Sequence, residues 1–438
     1  MRIPFLLFAL ILISCLTVWA DDQQLSQNSH IIAEAQSKQQ MARHLALANA
    51  QITPNQQQFD VTYYELDLFP DVETHVLYGS VLMQARALSE NLSHVEVNFL
   101  DNMQVDSVFV NGALAQATHA DDLLSIPLDR NYAAGELFET RVVYHGLPAQ
   151  TGFGAFDFGT LNGKPMVWTL SEPFGARNWW PCKDVPADKA DSVDIKVTVR
   201  SDLIVASNGL LKEKIVQDDR TTYWWQERYP ITTYLVSLAI HPYFTYSDWY
   251  VTLQNDSMEV QFYVFPQNVN RVRDNYAKTV PMLETLSELF GEYPFINEKY
   301  GHAKFIWGGG GMEHQTITSL AGYSESLIVH ELAHQWWGNM VTCETFHDIW
   351  LNEGFATYLD GLSCEEGIGY TSWSNWKSSK INHVTGNNYG STYVYDTSYV
   401  WNIFSSRLVY SKGALLLHML RWKLGDEDFF NAIMDYIS

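Results

Sequence analysis

From residue 59 onward, apolar and polar side chains alternate in short runs: 59–68, 75–87, 94–100, 107–110 and 140–144, then 193–199 and 221–229. A period of two puts every second side chain on one face, so these runs predict half-buried strands. Asn111-Gly112, Asn162-Gly163 and Asn208-Gly209 lie between strand-like runs and predict tight turns, because both residue types tolerate positive φ. Residues 233–241 are more uniformly apolar and read as a core strand. Together they predict an all-β domain over residues 55–246.

Beyond residue 247 the period changes. Residues 259–265 read as a strand, and residues 269–290 as one helix with Val272, Tyr276, Val280, Leu283, Leu286 and Phe290 on a face, stopped by Gly291. Residues 304–307 are a further strand candidate, followed by Gly308-Gly309-Gly310-Gly311 and two helical segments, one carrying Leu327, Ile328 and Val329 and one over 349–362. Residues 247–438 therefore form a mixed α+β domain. Its last helix pattern, 428–437, stops without a cap, which predicts that this domain is incomplete at its C-terminal end.

Ahead of the strands, residues 21–54 are a polar leader rich in Gln, Ala and Ser. Residues 1–20 read as a signal peptide: Arg2, an apolar stretch over 3–14, and Val18-Trp19-Ala20 as a small-x-small cleavage site. Export to the periplasm or the cell exterior is expected. Leu12-Ile13-Ser14-Cys15 also fits a bacterial lipobox, with Cys15 as lipid anchor and the outer membrane as the alternative destination. No other stretch is long and apolar enough to span a bilayer.

Composition narrows the function. At 438 residues the chain exceeds one ordinary domain, and 47% hydrophobic with 14% aromatic residues is ample for packed cores. A net charge of −23 argues against nucleic-acid or anionic-membrane partners, which require a basic surface. Removal of the signal leaves Cys182, Cys343 and Cys364, so at most one internal disulfide can form; Cys343 and Cys364 flank the same segment and are the candidate pair, while Cys182 reads as a buried small hydrophobe.

The chemistry is concentrated in His330-Glu331-Leu332-Ala333-His334. Helical residues four apart lie one turn above each other, so both imidazoles can meet one ion while Glu331 leans over it as a base. A catalytic zinc takes about three protein ligands. Glu353, in Asn352-Glu353-Gly354-Phe355-Ala356, is the candidate third.

These motifs resemble the aminopeptidase N-like family of zinc exopeptidases, the gluzincin group, whose third ligand follows the second histidine after eighteen residues, here residues 335–352. The resemblance runs from about residue 59 to the end. It implies a β-rich N-terminal domain followed by a thermolysin-like catalytic domain, one Zn2+ per chain, and peptides with a free N-terminus as substrates. Gly310-Gly311-Met312-Glu313-His314 is similar to the family's exopeptidase box, which implies that Glu313 binds the substrate ammonium while Gly310, Gly311 and Met312 line the bound peptide. His314 departs from the family's usual Asn. In Ser171-Glu172-Pro173-Phe174-Gly175-Ala176-Arg177, Glu172 matches a second ammonium-binding position. Tyr410, in Tyr410-Ser411-Lys412-Gly413-Ala414, matches the tyrosine that stabilises the tetrahedral intermediate.

The resulting expectation is metal-activated hydrolysis, with His330, His334 and Glu353 as ligands, Glu331 and Tyr410 as catalytic groups, and release of N-terminal amino acids. A thermolysin-like endopeptidase would share the metal site without needing the Glu313 box, and a non-catalytic peptide-binding fragment would have no need of Glu331. Asp348 is a further acidic candidate for supporting a zinc histidine, with solvated surface as its competing reading.

Overall fold

The computed structural model describes residues 52–437, so the signal peptide, nearly all of the polar leader and Cys15 lie outside the described residues. Up to His241 the described chain forms strands joined by loops and short 3-10 turns, and the first α-helix among the described residues begins at Val269. An eight-stranded sheet runs from edge to edge through Leu210–Gln217, Arg220–Glu227, Ser192–Arg200, Phe59–Asp71, Val76–Ala87, Leu137–Gly146, Gln104–Val110 and Ala113–Ala115. Its central strand Phe59–Asp71 is parallel to Ser192–Arg200 and antiparallel to Val76–Ala87. The alternation that betrays this strand shifts at a bulge between Val61 and Tyr63, and Tyr64, Leu66 and Leu68 then fill the core face.

Two of the predicted turns have positive φ at both residues, 48° and 81° at Asn111-Gly112 and 51° and 73° at Asn162-Gly163, as a two-residue hairpin requires. Asn208-Gly209 is no such hairpin. Asn208 is buried and donates to the carbonyls of Leu235 and Gln315, tying the β region to the catalytic part. Residues 233–241 are not one strand either: a 3-10 turn, Thr233–Leu235, precedes the short strand Ala239–His241. The whole stretch is buried, so it carries no period that could distinguish turn from strand.

A five-stranded sheet begins the catalytic part, in the order Phe244–Val251, Ser257–Val264, Tyr300–Lys304, Thr318–Leu320, Gly311–Met312. The change of sheet thus falls between His241 and Phe244, so position 246 lies inside a strand, and the strand expected at 304–307 ends at Lys304 instead. The expected helix over 269–290 is two, α1 (Val269–Tyr276) and α2 (Thr279–Phe290). Pro281 has no N–H to offer the Ala277 carbonyl, which is where a continuous helix would need it. There follow α3 (Glu325–Ala333), α4 (Trp350–Glu365), α5 (Trp373–Thr385), α6 (Val400–Ile403), α7 (Gly413–Leu424) and α8 (Asp426–Ile437). None of the described helices is long and apolar enough to cross a membrane.

Two apolar cores result. One fills the β region and extends to Phe346, Val409 and Tyr410; the other lies among α2, α3, α4, α7 and α8. Cys343 belongs to the first and Cys364 to the second, and both are free thiols, as is buried Cys182, so the candidate Cys343–Cys364 pair is not formed.

Candidate active site

Helix α3 starts where the Ser324 hydroxyl accepts the Leu327 N–H at 3.4 Å, and it is buried from Ser326 to its end. His330 and His334, one turn apart, bring their Nε2 atoms to 3.2 Å. Glu353 sits in the first turn of α4, and its Oε2 lies 3.3 Å from His330 Nε2 and 3.4 Å from His334 Nε2. All three side chains are buried.

That triangle is a test of metal fit. Zinc bonds of about 2.0–2.1 Å in tetrahedral array hold their donor atoms about 3.3 Å apart, the spacing found here. Two imidazole nitrogens and a carboxylate oxygen converge on one point, and a cation there would join all three. Burial disfavours a charge on His334, yet the Glu313 and Glu353 carboxylates outweigh burial and push its pKa up to about 9, which marks the negative potential at this point. Its Nδ1 lies 3.0 Å from the Trp337 carbonyl, an arrangement that orients Nε2 toward the ligand position.

Two glycines shape the surroundings. A Cβ on Gly311 would lie 2.6 Å from Glu331 Oε1, so the missing side chain leaves room for the candidate base. A Cβ on Gly354 would lie 3.0 Å from Gly413 Cα, so this pair lets α4 and the start of α7 approach closely. The approach places Tyr410 beside Glu353, and its hydroxyl donates to Glu353 Oε1 at 2.7 Å. Tyr410 is carried by a π-helical stretch, Ser406–Lys412, a wide turn of the kind that recurs at functional sites.

Ligand oxygens of Glu172, Glu313 and Glu353 lie within 4.8 Å of one another, all three side chains buried. Glu313 immediately follows the edge strand Gly311–Met312. Glu172 comes from the β region, in a segment fixed by Arg177, whose Nε donates to Asp184 Oδ2 at 2.9 Å. The structure thus gathers His330, Glu331, His334, Glu353, Glu313, Glu172 and Tyr410, with Gly311 beside them. Gly310 closes the loop, its carbonyl accepting the Ala321 N–H at 3.0 Å. The Met312 side chain is buried in the first apolar core, on the same edge strand as Gly311. His314 lies 2.9 Å from Ser319 Oγ through Nδ1, and burial pushes it down to about 3, so it is neutral.

Asp360 and Tyr234 belong to this neighbourhood without standing in any of the motifs. Asp360, seven residues after Glu353 and hence on the same face of α4, is buried and accepts from Tyr370 and Trp376. Burial raises its pKa, while the charges of Lys380 and, to a smaller extent, His330 pull it back. Asp348 lies instead in the 3-10 turn Phe346–Asp348. The helical offset from Glu353 was the available signal for Asp360. Tyr234, whose hydroxyl accepts from Asn352 Nδ2 at 3.3 Å, offered none.

Known families match both parts of the chain. Residues 60–235 match the Peptidase M1 N-terminal domain and residues 313–438 the Peptidase family M1 domain. The chain belongs to the M1 peptidase family. Among its relatives are Aminopeptidase 2, mitochondrial, of Saccharomyces cerevisiae, 26% identical over 94% of this chain and 46% of the relative, and Endoplasmic reticulum aminopeptidase 1 of Homo sapiens, 28% identical over 70% of this chain and 34% of the relative. This M1 chain spans less than half the length of those two relatives. Its fold matches the crystal structure of the M1 zinc metallopeptidase from Deinococcus radiodurans, with a TM-score of 0.78, 27% identity and 87% of each chain covered. A point mutant of that protein bound to a Tyr-Ser-Ala substrate matches with a TM-score of 0.76, 26% identity and 88% of each chain covered. Zinc is the cofactor that membership of this family brings.

Proposed function

We propose that the chain is a zinc-dependent aminopeptidase that releases single N-terminal amino acids from peptides. One observation carries this reading: Glu353 belongs both to the metal triangle and to the trio of carboxylates with Glu172 and Glu313. The candidate metal site and the candidate ammonium site are therefore adjacent. A peptide anchored by its amino group would present its first peptide bond to the metal and no later one.

His330, His334 and Glu353 would hold zinc, which when bound supplies an acidified water and polarises a carbonyl. Glu331, buried against Gly311, would take a proton and return it to the departing amine. Tyr410 has a hydroxyl that can turn from Glu353 toward negative charge developing on the substrate oxygen. Glu172 and Glu313 bind the ammonium through charge-assisted hydrogen bonds. The pattern of residues 1–20 supports export to the periplasm or the cell exterior, with lipidation at Cys15 as the alternative.

The test is a panel of aminoacyl chromogenic amides, each with its amino group free and acetylated. Free substrates should react roughly ten- to a hundredfold faster for each carboxylate engaged. Equal rates would favour internal cleavage and overturn the aminopeptidase reading.

A further inference from the structure

Past His334 the chain leaves α3 through wide turns, in which the N–H groups of Asn339, Met340 and Val341 bond the carbonyls of His334, Gln335 and Trp336 at 3.0, 3.1 and 3.1 Å. The Gln335 and Asn339 side chains are fully buried, and both reach the main chain of Glu313. Asn339 Nδ2 donates to the Glu313 carbonyl at 2.7 Å, and Gln335 Nε2 donates to the same carbonyl at 3.3 Å and to that of His314 at 3.4 Å. Gln335 Oε1 accepts the Thr316 N–H at 2.9 Å.

Thr316 shows why this loop needs holding. Its φ is +64°, a region that β-branched residues rarely occupy, so surrounding bonds must maintain it. The Thr316 hydroxyl, with one proton to donate, lies 2.6 Å from the Gln315 carbonyl and 3.2 Å from buried Glu227, it accepts the Gly209 N–H at 2.8 Å, and the Thr316 carbonyl accepts from Lys299 Nζ at 3.3 Å. Asn339 is itself anchored, since Lys189 Nζ donates to its carbonyl at 2.6 Å. The segment that follows one candidate zinc ligand therefore grips the backbone of the candidate ammonium anchor.

We propose that Asn339 and Gln335 are positioning residues that fix Glu313 relative to the metal and thereby set the one-residue register of cleavage. This rests on the aminopeptidase reading. Neither side chain need touch the substrate. Asn339 and Gln335 act through the Glu313 carbonyl, so their loss should displace the ammonium site while leaving the metal in place.

The test compares wild type, Asn339→Asp and Gln335→Met on free and acetylated aminoacyl amides, with zinc content by elemental analysis and product masses from an unblocked hexapeptide. Asn339→Asp keeps the shape and replaces the donor with an acceptor. It should retain wild-type zinc, raise KM for the free substrate more than it lowers kcat, and reduce the free-to-acetylated rate ratio roughly tenfold. Loss of register should add dipeptide to the hexapeptide products. If Asn339→Asp does not fold, Gln335→Met, which removes the Gln335 donor to the Glu313 carbonyl, decides by the same ratio. A folded, zinc-loaded variant with the wild-type ratio overturns the proposal alone. A wild-type enzyme without preference for free amines overturns the aminopeptidase reading and this proposal with it.

Discussion

Tyr410 and Glu353, 57 residues apart, are joined by a hydrogen bond of 2.7 Å that uses Glu353 Oε1 and leaves Oε2 facing the two histidines. One carboxylate thus serves two neighbours with separate oxygens. The Tyr410→Phe variant should keep its metal, because the oxygen aimed at the histidines is not the one that loses a bond. Its kcat should fall by about a hundredfold, as for removal of one oxyanion donor, with a smaller change in KM. Steady-state kinetics beside zinc analysis checks this, and full turnover in Tyr410→Phe would remove Tyr410 from the mechanism.

Glu331 and Gly311 make a second, linked case. Glu331→Gln should retain zinc and lose at least about two orders of magnitude in turnover, the usual cost of removing a general base. Gly311→Ala should imitate it without touching the carboxylate, since the added Cβ would meet Glu331 Oε1 at 2.6 Å and push it aside. Turnover measured for both variants decides the point. A fully active Gly311→Ala would mean that the carboxylate has room to work elsewhere.

The metal assignment is checked separately. Wild type should carry about one zinc per chain, and His334→Ala should lose most of it, because the remaining pair of donors no longer encloses the ion. Stoichiometric zinc in His334→Ala, measured by elemental analysis, would move the metal to another site.

What could be read in sequence was what repeats locally. His330 and His334 share a helix face because the helix repeat places them there, and residues 59–68 show a strand because one sheet face is buried. The remainder depends on contacts between distant segments. Gly354 and Gly413 leave no sequence signal that they touch, and Gln335 and Asn339 look like ordinary polar residues until the Glu313 loop is folded against them. Uniform burial hid the 3-10 turn at Thr233–Leu235, and one proline divided a helix whose apolar spacing appeared continuous. Tyr410 is marked by resemblance alone, for a chain with 24 tyrosines offers no physical ground for choosing one.

His302 predicts acid sensitivity of the fold. It sits on the strand Tyr300–Lys304 with its ring edge-to-face against Phe262, Tyr276 and Tyr300, and neither ring nitrogen has a hydrogen-bond partner among the described residues. Burial, with a smaller push from Lys304, lowers its pKa from 6.5 to about 3. The folded chain therefore keeps His302 neutral where the unfolded chain protonates it. Stability contributed by the neutral form is intact above about pH 6.5 and is lost as pH falls toward about 3, by at most about 1.4 kcal/mol per pH unit. Urea unfolding of metal-free protein between pH 8 and pH 5 isolates this term from acid release of zinc. His302→Gln should flatten the pH dependence below about 6.5, whatever its effect on stability at pH 8. Parallel curves for the two proteins would mean that His302 titrates in the folded state as it does in the unfolded one.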